Sequence, residues 1–138
     1  MNTELPTSAP VQKKKLLISF LDSEHKERFF DLVEADKDRT GDLTLMYGFS
    51  SNPALYNVFM QFSTVKNLNS MADDFPFSIE DNLLTVENLM LVNALEEISF
   101  HSGKASIGDL TDPSQFSNKI FFLVINALVL ARYGTYYV

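Results

Sequence analysis

The residues of this chain able to do acid–base or metal chemistry are two histidines and eighteen carboxylates, with no cysteine among 138 residues. The densest group of oxygen donors is Asp36-Lys37-Asp38-Arg39-Thr40-Gly41-Asp42-Leu43-Thr44-Leu45-Met46-Tyr47. An EF-hand calcium loop places oxygen ligands at its first, third and fifth positions, glycine at its sixth and a bidentate glutamate at its twelfth. Asp36, Asp38, Thr40 and Gly41 fit that pattern, but Tyr47 stands at the last position and has no carboxylate to offer. A hard cation that loses two oxygens is held poorly, and a single hand lacks the second loop with which such hands pair. Asp36, Asp38 and Thr40 are therefore the metal candidates, and the expected reading is an Asp-rich interhelical loop with no metal.

His25 falls at helical spacing with Leu21 and Phe29, on the face that should be apolar. Imidazole titrates near neutrality and could act as a general base; the expected role is a core histidine satisfied by backbone groups. Glu97 and His101 are four apart, so on one helix they can meet, which predicts a surface ion pair. Asn126 stands alone in the apolar run Ile120 to Ala131. If buried it needs hydrogen-bond partners, and holding a loop or a neighbouring helix in place is the expected use, with lining a ligand pocket as the alternative. The chain contains no Walker-type phosphate loop, dinucleotide fingerprint, His-Glu-x-x-His, Gly-x-Ser-x-Gly elbow or zinc-spaced ligand set. Adjacent acids such as Asp73-Asp74 and Glu96-Glu97 point about 100° apart on a helix and do not converge on one atom. No catalytic residue and no cofactor are expected, and the chain is not read as an enzyme.

Composition sets the frame for these side chains. Hydrophobic residues make up 46% of the chain, with twelve Phe and only five Gly and five Pro, the make-up of one packed domain. Without cysteine there are no disulfides, and nothing in the composition argues for secretion. The longest apolar run is too short for a membrane span, which needs about 20 residues. A soluble, cytoplasmic protein is expected. The net charge is −7, and the segment from Asp73 to Asp112 holds nine acids against Lys104 alone, so it carries the excess. Acidity disfavours direct nucleic-acid binding, which needs Lys and Arg against phosphate. It suits a basic protein partner.

The elements that must position these groups follow from periodicity and punctuation. Residues 1–14 read as a disordered tail and 15–138 as a single helical domain. Leu16 to Phe20 reads as a short strand or an extended lead into a helix capped by Asp22 or Ser23. A second helix runs through Leu43 to Phe49, and Asn52-Pro53 restarts a third to about Phe62. Residues 63–84 resist assignment, with Phe75 and Phe77 as anchors. A fourth helix, Thr85 to about Phe100, should end near Gly103, and Ser106 to Leu110 should form one turn. Asp112-Pro113-Ser114-Gln115 has the form of a capping box, so the last helix is expected from Pro113 to about Tyr133. It is apolar nearly all round and should lie centrally. Thr135 to Val138 reads as a short terminal strand. Phe29, Phe30, Phe59, Phe62, Phe121 and Phe122 read as core; Phe75, Phe77, Tyr133, Tyr136 and Tyr137 are candidate interface anchors. The fold class is all-α, about five helices around a central C-terminal helix, with one or two very short strands at most.

The order of features resembles a family of small uncharacterised proteins of Firmicutes and their phages. The family opens with Phe-Leu-Asp-x-x-His-x-x-x-Phe, matched by Phe20-Leu21-Asp22, His25 and Phe29. Ser51 to Tyr56, Ile107-Gly108-Asp109-Leu110 and the closing Ala127 to Gly134 are similar to later parts of the pattern. The likeness spans residues 20–134 but departs over 63–82, and the N-terminal tail is extra. The resemblance implies the helical fold and a phage context, and it brings no activity.

The functional expectation is a non-catalytic acidic protein-interaction module. A phage context points to an inhibitor of a host nucleic-acid-handling protein, of the anti-CRISPR or anti-defence type, whose acids occupy a basic groove. Asp73, Asp74, Glu80, Asp81, Glu96 and Glu97 are the expected partner-binding residues, and no direct contact with nucleic acid or membrane is expected. The alternatives are a calcium or small-ligand binder using Asp36 to Thr44, and a structural homo-oligomer such as a homodimer.

Overall fold

The computed structural model describes residues 15–36, 42–65, 85–134 and 136–137. The chain is all-α. Its described helices are α1 (Ser23–Ala35), α2 (Leu43–Phe49), α3 (Pro53–Val65), α4 (Val86–Phe100), α5 (Ile107–Leu110) and α6 (Asn118–Tyr133). Two short strands, β1 (Lys15–Leu16) and β2 (Tyr136–Tyr137), pair antiparallel with Lys15 opposite Tyr137. That pair ties the start of the described chain to its end.

Each helix begins where a short polar side chain can accept an otherwise unpaired amide. Asp22 takes the His25 N–H at 2.7 Å, Asp42 takes Leu45 at 3.1 Å and Asn52 takes Leu55 at 3.0 Å. Thr85 serves Asn88, and Ser106 forms a capping box with Asp109. The fourth helix ends on His101, whose φ of 55° is left-handed, two residues before the expected stop at Gly103. That left-handed cap also undoes the expected Glu97–His101 ion pair. The Glu97 carboxylate instead accepts the Gly103 N–H, which wraps the turn after α4.

The last helix starts at Asn118, not at Pro113. Asp112 spends its carboxylate on Ser114, accepting both the Ser114 N–H at 2.9 Å and its hydroxyl at 2.7 Å. These local bonds close a turn and hold the Asp112 carboxyl below its usual pKa, the side-chain bond from Ser114 contributing most. The buried Phe116 ends that turn, and Ser117 caps α6 through the Ile120 N–H.

The enclosed element is α2, in which every residue from Thr44 to Phe49 is buried. It touches α1, α3, α4 and α6. The C-terminal helix buries Ile120, Leu123, Val124, Ala127 and Leu130 against α2 and α4. Its opposite side is open, leaving Phe121 at 42%, Ile125 at 38% and Leu128 at 40% exposure. The helix packs against α2 and α4 but keeps this exposed side, so Phe121, expected in the core, is not a core residue. Phe29 and Phe59 are in the core, Phe30 and Phe122 are half-buried, and Tyr133 is exposed. Phe75 and Phe77 lie outside the described residues, as does the side chain of Phe62. Among the described residues no helix is long and apolar enough to cross a membrane.

Candidate functional site

Among the described residues a connected polar cluster centres on His25, Tyr47 and Asn126. The Asp22 cap starts α1 so that His25 faces inward one turn later, where it is fully buried. Its Nδ1 accepts the Leu21 N–H at 3.1 Å, and its Nε2 lies 2.9 Å from the Tyr47 carbonyl. An acceptor at Nδ1 places the ring proton on Nε2, so Nε2–H donates to Tyr47. Both ring nitrogens are thereby used by backbone groups, as the sequence predicts.

Burial holds the His25 imidazole below its usual pKa. The bond to the Tyr47 carbonyl and the Asp22 carboxylate oppose that shift, whereas the Arg28 guanidinium adds to it. Arg28 is itself fixed, its Nε donating to the Ser50 carbonyl at 2.7 Å. The Tyr47 carbonyl also accepts the Ser50 hydroxyl at 2.9 Å, and the Tyr47 phenol donates to the Ser19 carbonyl at 2.7 Å. Burial pushes that phenol's pKa upward, so it stays neutral. The Ser19 N–H in turn donates to Asn126 Oδ1 at 2.8 Å, while Asn126 Nδ2 donates to the Phe122 carbonyl at 2.9 Å.

Asn126 therefore ties the segment before α1 to α6, as its place in the apolar run predicts. Removing its side chain leaves the Ser19 N–H without its partner. Asn126→Ala is expected to lower stability by about 1 kcal/mol, the usual net worth of such a bond. Chemical denaturation checks this, and an unchanged midpoint would show that the Ser19 amide does not depend on Asn126.

The acidic residues marked for partner binding are placed differently from expectation. Asp73, Asp74, Glu80 and Asp81 lie outside the described residues. Glu96 is 2% exposed, with Oε1 2.8 Å from Lys104 Nζ. That contact is an ion pair without well-directed hydrogen-bond geometry. A partner could reach the Glu96 carboxylate only by displacing Lys104, so its assignment as a binding residue is corrected. Glu97 is half-buried and engaged with Gly103. Glu87 accepts the Ser117 hydroxyl at 2.8 Å and lies 3.7 Å from Lys119 Nζ. With Asp109 in its capping box and Asp112 in its turn, each described acid from Glu87 to Asp112 has a local use.

The carboxylates with no such use lie on α1. Glu24, Glu27, Asp31 and Glu34 are all exposed, and among the described residues none is paired with a cation. Their spacing of three, four and three places them in one row about 15 Å long on the helix face turned from the core. The row occupies the polar positions opposite the His25–Phe29 face, and the sequence signal for it is that spacing of acids. Of the metal candidates, Asp38 and Thr40 lie outside the described residues, and Asp36 is the C-cap of α1. Among the described residues no three His, Asp or Glu side chains converge as a metal site would require. In comparisons with family models, curated proteins and solved structures, none matches this chain.

Proposed function

We propose that this protein is a non-catalytic acidic interaction module that binds the basic, nucleic-acid-facing surface of a protein partner. In the phage context that the sequence resemblance suggests, the partner is a host nucleic-acid-handling protein and the outcome is its inhibition. The observation that carries this reading is the α1 row of Glu24, Glu27, Asp31 and Glu34, exposed and, among the described residues, without paired cations in a chain of net charge −7. Four carboxylates along one helix face attract Lys and Arg and steer a basic surface into register. The buried polar cluster around His25 supports a structural rather than a chemical use of that histidine, because backbone groups occupy both ring nitrogens.

The test is capture from host lysate with the wild type and with Glu24→Gln, Glu27→Gln, Asp31→Asn and Glu34→Gln combined. The wild type is expected to retain a nucleic-acid-handling protein at low salt and release it at high salt, since exposed charge pairs are screened beyond about 10 Å at 0.1 M salt. The neutralised chain is expected to bind that protein about tenfold more weakly or worse at low salt. Equal capture by the two chains, or recovery of the bait alone, overturns the reading.

A further inference from the structure

The segment between β1 and α1, residues 17–22, crosses the mouth of the aromatic cluster. It is held there by side chains from three different helices. Asn126 of α6 takes the Ser19 N–H, Tyr47 of α2 donates to the Ser19 carbonyl, and His25 of α1 takes the Leu21 N–H. Between these ties Phe20 lies against four rings, with its centroid 5.1 Å from His25, 5.6 Å from Phe29, 5.9 Å from Phe30 and 5.8 Å from Tyr47. Ile18 beside it is buried. Both ends are fixed, by the β1–β2 pair before it and by the Asp22 cap after it.

One of the three ties exists only for a neutral imidazole. A proton on His25 Nδ1 would point directly at the Leu21 N–H, setting donor against donor. The protonated ring is a donor at both nitrogens, and Nε2 already donates to the Tyr47 carbonyl, so no orientation of the ring offers the Leu21 N–H an acceptor.

From the geometry we infer that residues 17–22 form a strap latched by neutral His25, and that protonation of His25 releases the strap and uncovers the Phe29, Phe30 and Tyr47 rings. Among the described residues, few charged and titratable groups surround His25. On its own helix are Asp22, whose carboxylate is engaged by the His25 N–H, and Arg28, which points to Ser50. The α2 helix contributes only the neutral Tyr47 phenol, α6 contributes the uncharged Asn126, and the strap from Leu17 to Leu21 carries no charge. Arg28 opposes an added proton and Asp22 favours it, with burial outweighing both. The folded pKa therefore lies below the unfolded one. The latch is fully closed above the ordinary imidazole value of about 6.5 and opens as pH falls through the lowered folded value.

Amide hydrogen exchange of the full chain from about pH 7.5 to about pH 5 reads the latch. After correction for intrinsic rates, Leu21 and Ser19 are expected to lose protection by up to about tenfold per pH unit as pH falls from about 6.5 towards the folded pKa, and to level off below it, while amides in the middle of α4 and α6 keep theirs. His25→Gln has no titrating ring, and in it the two strap amides are expected to show no such slope. Should that variant not fold, the imidazole titration of the wild type decides the matter by NMR. Because the chain has two histidines, His101→Gln assigns the His25 resonance. The midpoint of His25 must then coincide with the loss of Leu21 protection. The inference is overturned if Leu21 stays protected after His25 has titrated, if the strap and the α4 and α6 amides open together, or if His25→Gln keeps the pH slope.

Discussion

Tyr47→Ala is expected to destabilise this protein by about 4 kcal/mol, within the range seen when a fully buried aromatic ring is cut to a methyl group. Tyr47 has no exposed surface, and its ring packs at a tilt against Phe20 and His25 and edge-on against Phe29. The substitution also leaves the Ser19 carbonyl without the phenol that donates to it. Its own carbonyl, which serves His25 and Ser50, is backbone and survives the change. The loss is thus assigned to the side chain alone. Tyr47→Phe separates the two contributions, because it keeps the ring and deletes only the hydroxyl, at a cost of about 1 kcal/mol. Small domains are stable by only about 5–15 kcal/mol, so Tyr47→Ala removes a large share of the total. Urea unfolding of both variants is the measurement. Equal and small shifts for the two would mean that the ring does not sit in the core.

Gly48→Val is the second large effect, expected at about 3 kcal/mol or more. Gly48 stands on α2 where α4 crosses it, and a Cβ there would overlap Leu95 Cδ1, with Cδ2 at 2.8 Å and Cγ at 3.0 Å. Leu95 is itself fully buried and has no open side to move into. Gly48→Ala tests the sign more sharply. Replacing glycine by alanine inside a helix ordinarily gains about 1 kcal/mol, whereas here the overlap should turn that gain into a net loss of about 1–2 kcal/mol. Combining Gly48→Ala with Leu95→Ala should cost less than the sum of the two singles, since each relieves the other's defect. A stabilising Gly48→Ala would show that the two helices do not approach so closely.

Both effects sit on α2, and the sequence marks that segment only partly. Its seven residues read as a helix through Leu43 to Phe49, and the structure adds the Asp42 cap. Its place at the centre is not visible, because a run this short shows no polar face from which to infer a single buried side. The long apolar run of α6 looked more central on its own, yet an all-apolar helix can lose one face to solvent when too few neighbours remain to cover it. Phe121, Ile125 and Leu128 are left open in this way.

The starts of α1, α3 and α4, the all-α class, the buried His25 and the tether made by Asn126 were determined by the sequence itself. Each rests on a local rule: a cap three residues before an amide, an apolar spacing of three and four, or a lone polar side chain that must find a partner. Other features were decided only by tertiary structure. Glu96 reads as a surface carboxylate until the turn after α4 folds Lys104 back over it. Asp112 reads as a helix cap until Ser114 claims its carboxylate and the helix begins at Ser117 instead. The partners of His25 are backbone groups brought from Leu21 and from Tyr47, 22 residues away. Burial and long-range pairing depend on which faces meet, and the local pattern of one segment does not carry that information.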